Sequence, residues 1–354
     1  MAAMKRHAGC SQLGAGLVDV MVGVTVALFA VLIIYVVVAR SDKVRQDAQA
    51  AGDAQQTGLF VLSRLAFDIA NAGSGFADAA KAMSSCPPSA SVVDTLRPVA
   101  ILITDAGRDD LADSVVIRYG VAAAIGAAVP FAAAAAAGEN FLVQSPFGFA
   151  VGDRVIAIGR NGDCAATDVT GINVPAPGFV EIAHAPLTTA FPLSSWLANL
   201  GPTKDAQIIR YDVVSGVLRT TDLLGGDAPN PLASNIINLK LQYGVDRDGD
   251  GMLDTWVPAQ AGPSGDWSAA VLLAAPADTL RRIKAIRIGL IVRSDFFDRD
   301  IKSSFGWTMF DCEASDKSTC AGRLSGVIAA SAGGGYRYRM HETVVPLRNQ
   351  IWNR

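Results

Sequence analysis

The chain has 354 residues, a formal net charge of −3, a hydrophobic fraction of 51% and a charged fraction of 18%. This composition excludes a disordered chain, which would be richer in charge, and it excludes a nucleic-acid-binding surface, which would be basic. The length is sufficient for one large hydrophobic core or two smaller ones.

The chain begins with a short basic segment that is followed by a long apolar one. Residues 1–14 include Lys5 and Arg6, and the 25 residues from Ala15 to Ala39 are apolar almost throughout. As an α-helix this apolar segment would span about 37 Å, enough to cross a hydrocarbon core of about 30 Å. A secretory signal has its small-residue cleavage site after the apolar region. Here the site at Gly14 precedes it, which predicts cleavage on the cytoplasmic side and a mature protein that keeps the helix.

Asp19 is the one charged residue inside the apolar segment. A carboxylate within hydrocarbon costs about 2.5–3.5 kcal/mol even on insertion scales, so an intramembrane aspartate indicates a function. Two interpretations are open. Asp19 could extend to the nearby membrane interface, or it could pair with a positive group, such as the free amine that cleavage after Gly14 creates on a neighbouring subunit.

From Arg40 to about Asn71 the sequence is typical of an amphipathic helix. Apolar residues recur at spacings of three and four between Leu59 and Ile69, which places them on one face. Asn71 is followed by Ala-Gly, a plausible helix stop. The sequence therefore predicts one helix from about Gly16 to Asn71, with residues 40–73 continuing the membrane segment.

After residue 73 the sequence predicts strands and loops. Short segments rich in β-branched residues are bounded by Gly, Pro, Asp or Asn, which is typical of strands. A low-complexity segment, 121–138, is interpreted as a surface loop or short helix. We expect an α+β fold in which the long helix packs on a β-rich domain, residues 74–354, with antiparallel sheets. The predicted strands are 99–104, 113–120, 153–159, 178–185, 206–214, 216–224, 236–245, 283–294 and 338–349.

Cysteines are well spread through this domain. Cys10 precedes the helix, whereas Cys86, Cys164, Cys312 and Cys320 follow it, and none has the C-x-x-C spacing of a zinc or redox site. Four such cysteines behind an export signal predict two disulfides in an oxidising compartment, with four buried thiols as the alternative. Cys312 and Cys320 could close a short local loop, but three connectivities are possible and the spacing does not choose among them.

Residues 246–254 form a D-x-D-x-D-G-x-x-D loop. Calcium prefers oxygen ligands, and carboxylates at loop positions 1, 3, 5 and 9, with a backbone carbonyl at position 7, can converge on one ion. Position 12 is Val257, so the bidentate glutamate of an EF-hand is missing and the affinity for Ca²⁺ should be lower. The alternative is an acidic hairpin turn without metal. The candidate ligands are Asp246, Asp248, Asp250, Met252 and Asp254.

The segment from Gly14 to Val22 resembles the type III signal of type IV pilins. By this resemblance Gly14 is the last leader residue and Ala15 becomes the N-methylated first residue of the mature chain. Asp19 then occupies mature position five, where the family normally has glutamate, and it would dock the subunit. Ala15 stands where the family usually has phenylalanine or methionine.

Later segments resemble PilW-type minor pilins. They are GDRVIAIGRNGDC (152–164), LQYGVDRDGDGMLDTW (241–256) and the pair IKAIRIGLIVRS and HETVVPLRN near the C-terminus. The resemblance implies a minor pilin that a prepilin peptidase processes and that helps to initiate type IV pilus assembly in a priming or tip complex. Its implied partners are other minor pilins, the major pilin and a tip adhesin, and membrane lipid before assembly.

The same resemblance implies a location. The protein would cross the bacterial inner membrane once, with its large domain in the periplasm, and later enter the pilus fibre or tip. The nearest alternative is a minor pseudopilin of a type II secretion system, and a more distant one is a membrane-anchored binding domain that is never processed. The mature length of 340 residues after loss of 14, together with the D-x-D-x-D-G loop, favours the pilus over the secretion system.

No enzymatic signature is evident. The sequence has no G-x-S-x-G, H-E-x-x-H or P-loop motif. His184 and His341 lie in strand-like segments, where a histidine with a structural role is the commoner outcome. We therefore expect no catalytic activity.

Overall fold

The computed structural model describes residues 16–75, 83–120, 128–145, 148–203, 207–263, 265–312 and 320–351. The processing residues Gly14 and Ala15 lie outside this part of the chain. The chain divides into two compact units, Met1–Ala51 and Gly52–Arg354. One helix, α1, runs without interruption over the 55 residues Leu17–Asn71, close to the predicted bounds.

In the first unit, α1 is apolar and exposed. Every side chain from Leu17 to Val38 is exposed, and the helix is long and apolar enough to cross a membrane. A helix that is apolar all round is stable in lipid or among other helices, and not in water.

In the second unit, α1 covers the β-rich domain. Its buried stripe passes through Val61, Leu65 and Ile69, which are fully buried. Of the residues predicted for the apolar face, Leu62 and Ile69 are buried and Ala66 is partly buried, whereas Leu59 is 55% exposed, so the buried stripe is rotated from the predicted one. The helix ends at Asn71, and Gly73 has a positive φ of 81°, which suits glycine at the exit from a helix.

The remaining elements are strands and short helices. The strands are β1 Ile101–Thr104, β2 Ser114–Tyr119, β3 Val129–Pro130, β4 Phe141–Val143, β5 Asp153–Ile158, β6 Cys164–Ala176, β7 Phe179–His184, β8 Trp196–Pro202, β9 Gln207–Val214, β10 Val217–Asp222, β11 Asn230–Ala233, β12 Ile236–Val245, β13 Thr255–Val257, β14 Ala261–Gly262, β15 Gly265–Asp266, β16 Ile283–Arg293, β17 Phe305–Met309, β18 Leu324–Ile328 and β19 Tyr338–Pro346. The short helices among the described residues are α2 Ala269–Ala274, α3 Ala277–Leu280, α4 Ala330–Gly333 and α5 Arg348–Ile351.

Two antiparallel sheets share a large hydrophobic core with α1. One has five strands in the order β1-β2-β9-β10-β11, and the other has four in the order β13-β12-β16-β19. The core combines the buried stripe of α1 with inward residues of both sheets. The α+β fold class and the helix-on-sheet packing are therefore confirmed.

Four polar side chains join α1 to the five-stranded sheet. Asp68 is fully buried, and its carboxylate accepts hydrogen bonds from the hydroxyls of Tyr119, at 3.0 Å, and Tyr211. The guanidinium of Arg64 lies 3.3 Å from the same carboxylate. Burial, together with the charge of Asp68, raises the pKa of both tyrosines, so they remain hydrogen-bond donors.

A six-stranded sheet, in the order β3-β8-β5-β6-β7-β4, forms a small barrel between β2 and β9. An antiparallel bridge between Phe131 and Val143 joins its two ends and closes it. The barrel has its own core, in which Phe131, Phe141 and Phe191 contact one another. We refer to residues 128–203 as the barrel.

The expectation for 121–138 was wrong over its described part, 128–138. This segment contains β3, and Phe131 and Ala135 are buried in the barrel core, at 3% and 4% exposure. Strand β5 explains how the barrel joins the rest: Val155 and Ala157 face the barrel core, whereas Ile156 and Ile158 face the large core. Burial on both faces accounts for the unbroken apolar run in its sequence.

Candidate functional site

The acidic loop connects two paired strands. β12 and β13 pair in an antiparallel register that ends at Val245 and Thr255, and residues 246–254 form the turn between them. Gly249 and Gly251 have φ values of 84° and 93°, a region that favours glycine, so the glycines allow the chain to fold back tightly.

Three of the four predicted carboxylates lie close together. One oxygen each from Asp246, Asp248 and Asp254 falls within 4.8 Å of the others. Asp250 is not part of this group, and its carboxylate accepts a hydrogen bond from the backbone N–H of Met252 at 2.7 Å. Three clustered carboxylates are suitable ligands for a hard cation such as Ca²⁺.

Asp246 is the buried member of the group. Its carboxylate accepts the backbone N–H groups of Gly249 at 2.6 Å and Gly251 at 2.9 Å, and the ammonium of Lys284 lies 3.5 Å away. Burial by itself would raise the pKa of Asp246, but these donors and the positive charge hold it below its ordinary value. A carboxylate oxygen can accept more than one bond, so this loop is compatible both with a plain hairpin turn and with a cation site. Calcium binding stays a prediction.

Asp19 lies in the exposed first turn of α1. Its carboxylate accepts the backbone N–H of Gly16 at 3.2 Å, a favourable position for a negative charge at a helix N-terminus. The docking role of Asp19 stays a prediction, as do the processing roles of Gly14 and Ala15, which lie outside the described residues.

The four later cysteines form two disulfides. Cys86 bonds to Cys164 and Cys312 bonds to Cys320, with Cα–Cα distances of 5.5 and 5.7 Å. The prediction of two disulfides is confirmed, and of the three possible connectivities the structure has this one. The first bond links the segment that follows α1 to the barrel.

The two later histidines have structural surroundings. His184 stacks on Phe141, and its ring nitrogens lie 2.7 Å from the carbonyl oxygen of Ala185 and 3.0 Å from that of Glu139. His341 packs against α1 at Gly58. Burial lowers the pKa of His341.

Sequence reasoning missed a buried arginine that holds the second disulfide segment. Arg287 donates to the side chain of Gln242 and, at 2.7 Å, to the carbonyl of Ala321, next to Cys320. Its guanidinium lies 4.9 Å from the ring centroid of Trp256 and 4.4 Å from that of Phe310. The signal that could have identified it is its position: Arg287 lies in the middle of the apolar sequence of β16, where a charged side chain must have partners.

Comparison with known proteins relates the second half of the domain to a family. Residues 215–349 match the family model PilW, described as type IV pilus-assembly protein W. This segment contains the acidic loop and the strands β12, β16 and β19, and the match confirms the resemblance to PilW proteins there.

Two further comparisons add little. A solved structure of a type IV-like pilin from Thermus thermophilus is similar at 14% identity, with 57% of this chain and 86% of that chain covered, but its TM-score of 0.25 is too low to support an argument about function. No curated protein matches the chain.

Proposed function

We propose that this protein is a minor pilin that takes part in initiating type IV pilus assembly. The observation that carries the proposal is the PilW match over residues 215–349 in a chain whose N-terminal helix is apolar and exposed from Leu17 to Val38. A helix of this kind needs lipid or other apolar helices around it, and a pilin uses the same segment first as a membrane anchor and then in the fibre.

The proposal assigns a role to each part of the N-terminus. A prepilin peptidase removes residues 1–14, and N-methylated Ala15 starts the mature chain. The carboxylate of Asp19 pairs with the terminal amine of an adjacent subunit, which offsets the cost of placing both charges in an apolar surrounding. The domain from residue 74 onward then contacts other minor pilins, the major pilin and a tip adhesin, first in the periplasm and then at the cell surface.

Mass spectrometry of the N-terminal peptide, on protein from membranes and sheared fibres, tests processing. A chain that begins at Ala15, with or without one added methyl group, supports the pilin pathway. A chain that still begins at Met1 in a host with active prepilin peptidase contradicts it. Loss of surface pili in a deletion strain supports the pilus assignment, whereas loss of protein secretion with normal pili would point to the pseudopilin alternative.

Variants at Asp19 test the docking step separately. We expect Asp19→Val to be processed normally but to be reduced about tenfold in sheared fibres, since the loss of about 1.4 kcal/mol of docking free energy has that effect. Asp19→Glu, which keeps the charge, should retain incorporation. Equal incorporation of the two variants would contradict a docking role for the carboxylate.

A further inference from the structure

The β6–β7 hairpin extends beyond the barrel. β6 pairs with β5 as far as Asp168, and β7 pairs with β4 as far as Val180. Past these points the two strands pair with each other and are joined by a turn at residues 177–178. We call residues 173–179 the hairpin tip.

The hairpin tip is apolar and exposed. Residues 169–180 contain no charged side chain, and Val174 and Phe179 are 68% and 40% exposed. Ile172 packs against the barrel core, whereas Val174, two residues further along β6, is open to solvent. The β6–β7 pairing shifts register between Asn173 and Ala176, so the hairpin is irregular at its tip. The uncharged sequence of β6 and β7 thus continues from the barrel into the hairpin tip, where its apolar side chains are open to solvent.

The backbone of the tip is restricted by its turn residues and is ill suited to pairing with another strand. Pro177 and Gly178 occupy the two central turn positions, and Gly178 has a φ of 84°, the combination typical of a type II turn. Pro175 and Pro177 have no N–H to donate to an added strand. A partner would therefore contact side chains of a preorganised tip, which reduces the entropy lost on binding.

The base of the hairpin is acidic. Glu181 is held in place by the side-chain amides of Asn140, at 3.0 Å, and Asn173, at 3.3 Å. Glu139 is exposed in the adjoining turn, and the nearby Arg154 is paired with Asp168. Elements that insert into membranes usually carry lysine or arginine at the level of the headgroups. Carboxylates at this level disfavour an anionic lipid surface and favour a basic protein surface.

We propose that the hairpin tip docks into an apolar recess on another protein, and that lysine or arginine on the rim of this recess pairs with Glu181. The tip lies outside the segment that matches the PilW family, 215–349. The inference therefore does not depend on the proposed function, and it assigns a binding role to the barrel.

Site-specific photocrosslinking in the native host tests this docking. The full-length chain carries p-benzoylphenylalanine in place of Phe179 or, as a control, in place of Leu193. Leu193 is 58% exposed and precedes β8 at the opposite end of the barrel. We expect a protein adduct from position 179 that is absent from position 193, and peptide mapping should place it among apolar residues flanked by lysine or arginine.

A charge reversal tests the rim contact. Glu181→Lys should lower the yield of this adduct about tenfold. Asp278→Lys changes the net charge equally at a residue whose side chain is 92% exposed, and it should leave the yield unchanged. Val174→Asp should also remove the adduct while the melting temperature stays that of the unaltered protein, because the side chain is exposed.

Three results would overturn the proposal. The first is that position 179 crosslinks to lipid alone. The second is a yield of protein adduct at position 179 no higher than at position 193. The third is an adduct yield at position 179 that Glu181→Lys does not alter.

Discussion

Asp68 is the residue on which the attachment of α1 to the five-stranded sheet depends most. Its carboxylate is fully buried and accepts hydrogen bonds from Tyr119 and Tyr211, while Arg64 supplies the compensating charge from a side chain that is 44% exposed. A buried charge is tolerated when it is paired and hydrogen-bonded, and removing one member leaves the others unsatisfied.

We therefore expect Asp68→Ala to lower the free energy of unfolding by about 2–4 kcal/mol. Arg64→Ala removes the part-exposed partner, and it should cost about 1 kcal/mol because solvent screens that side of the pair. Urea unfolding in detergent, followed by circular dichroism, measures both variants. If both variants lost the same free energy of unfolding, the hydrogen bonds from the two tyrosines to the carboxylate would contribute little to stability.

Gly58 is a second residue whose identity the packing requires. A Cβ at this position would lie 2.3 Å from the imidazole of His341, which closes over the helix there. Gly52, in the same helix, has open space around its Cα. The two glycines carry the same intrinsic helix penalty of about 1 kcal/mol, so their surroundings alone distinguish them.

Gly58→Ala should therefore destabilise the domain by about 1–3 kcal/mol, because overpacking outweighs the gain in helix propensity. Gly52→Ala should instead stabilise the protein by up to about 1 kcal/mol. Thermal unfolding compares the two variants, and adding His341→Ala to Gly58→Ala should recover most of the loss. A stabilised Gly58→Ala single variant would contradict the close packing.

At the scale of elements, the β12–β13 hairpin makes the calcium prediction specific. The grouped carboxylates are those of Asp246, Asp248 and Asp254, whereas Asp250 is turned toward the backbone of Met252. If the loop binds Ca²⁺, substitutions within the group and outside it should have different effects.

We expect a dissociation constant on the order of 10⁻⁴ to 10⁻³ M, because the loop lacks a bidentate glutamate. Calcium at one hundred times this constant should stabilise the protein by about 2.7 kcal/mol. Asp248→Asn should abolish this effect, and Asp250→Asn should preserve it. Thermal melts in calcium and in chelator provide the measurement, and a melt that calcium does not shift would leave the loop as a plain hairpin turn.

The sequence predicted the helix and the long strands because they have strong periodic signals. α1 and the apolar runs that became β12 and β16 were located to within a few residues, since each buries an extended apolar face. The barrel was missed because its strands β3 and β4 are very short and β3 lies in an alanine-rich segment. Phe131 and Ala135 are buried only because distant strands close around them.

The sequence predicted where the candidate site lies, but not how all of its side chains are oriented. The spacing of the aspartates indicated a compact acidic turn, but it did not show that Asp250 would face away from the others. Likewise, helical spacing placed Leu59 on the buried face, whereas the sheet contacts a stripe centred on Val61 and Leu65. In both cases tertiary contacts decide among orientations that the local pattern allows equally.

At the scale of the whole molecule, the two disulfides close loops of very different size. Cys86 and Cys164 are 78 residues apart, and Cys312 and Cys320 are 8 apart. On the chain-entropy account, a bond stabilises the fold more when it closes a longer loop in the unfolded chain.

Replacing both cysteines of the first bond with serine should therefore lower the free energy of unfolding by about 4.5 kcal/mol, and replacing both cysteines of the second bond should lower it by about 2.5 kcal/mol. Chemical denaturation of the two double variants under non-reducing conditions measures these losses. A larger loss from the Cys312/Cys320 pair would contradict this order and would indicate that its local contacts with Asp311 and Arg287 matter more than loop length.

The first disulfide also decides how the molecule bears a mechanical load. When α1 and the barrel are pulled apart, the covalent path between them runs through the sulfur atoms of Cys86 and Cys164 and bypasses β1 to β5, which lie between these cysteines in the chain. Fully extended, the 78 residues that the bond bypasses would add about 260 Å of slack to the chain. With the disulfide in place these residues cannot be extended, so force is transmitted to the barrel without unfolding the strands between the two cysteines.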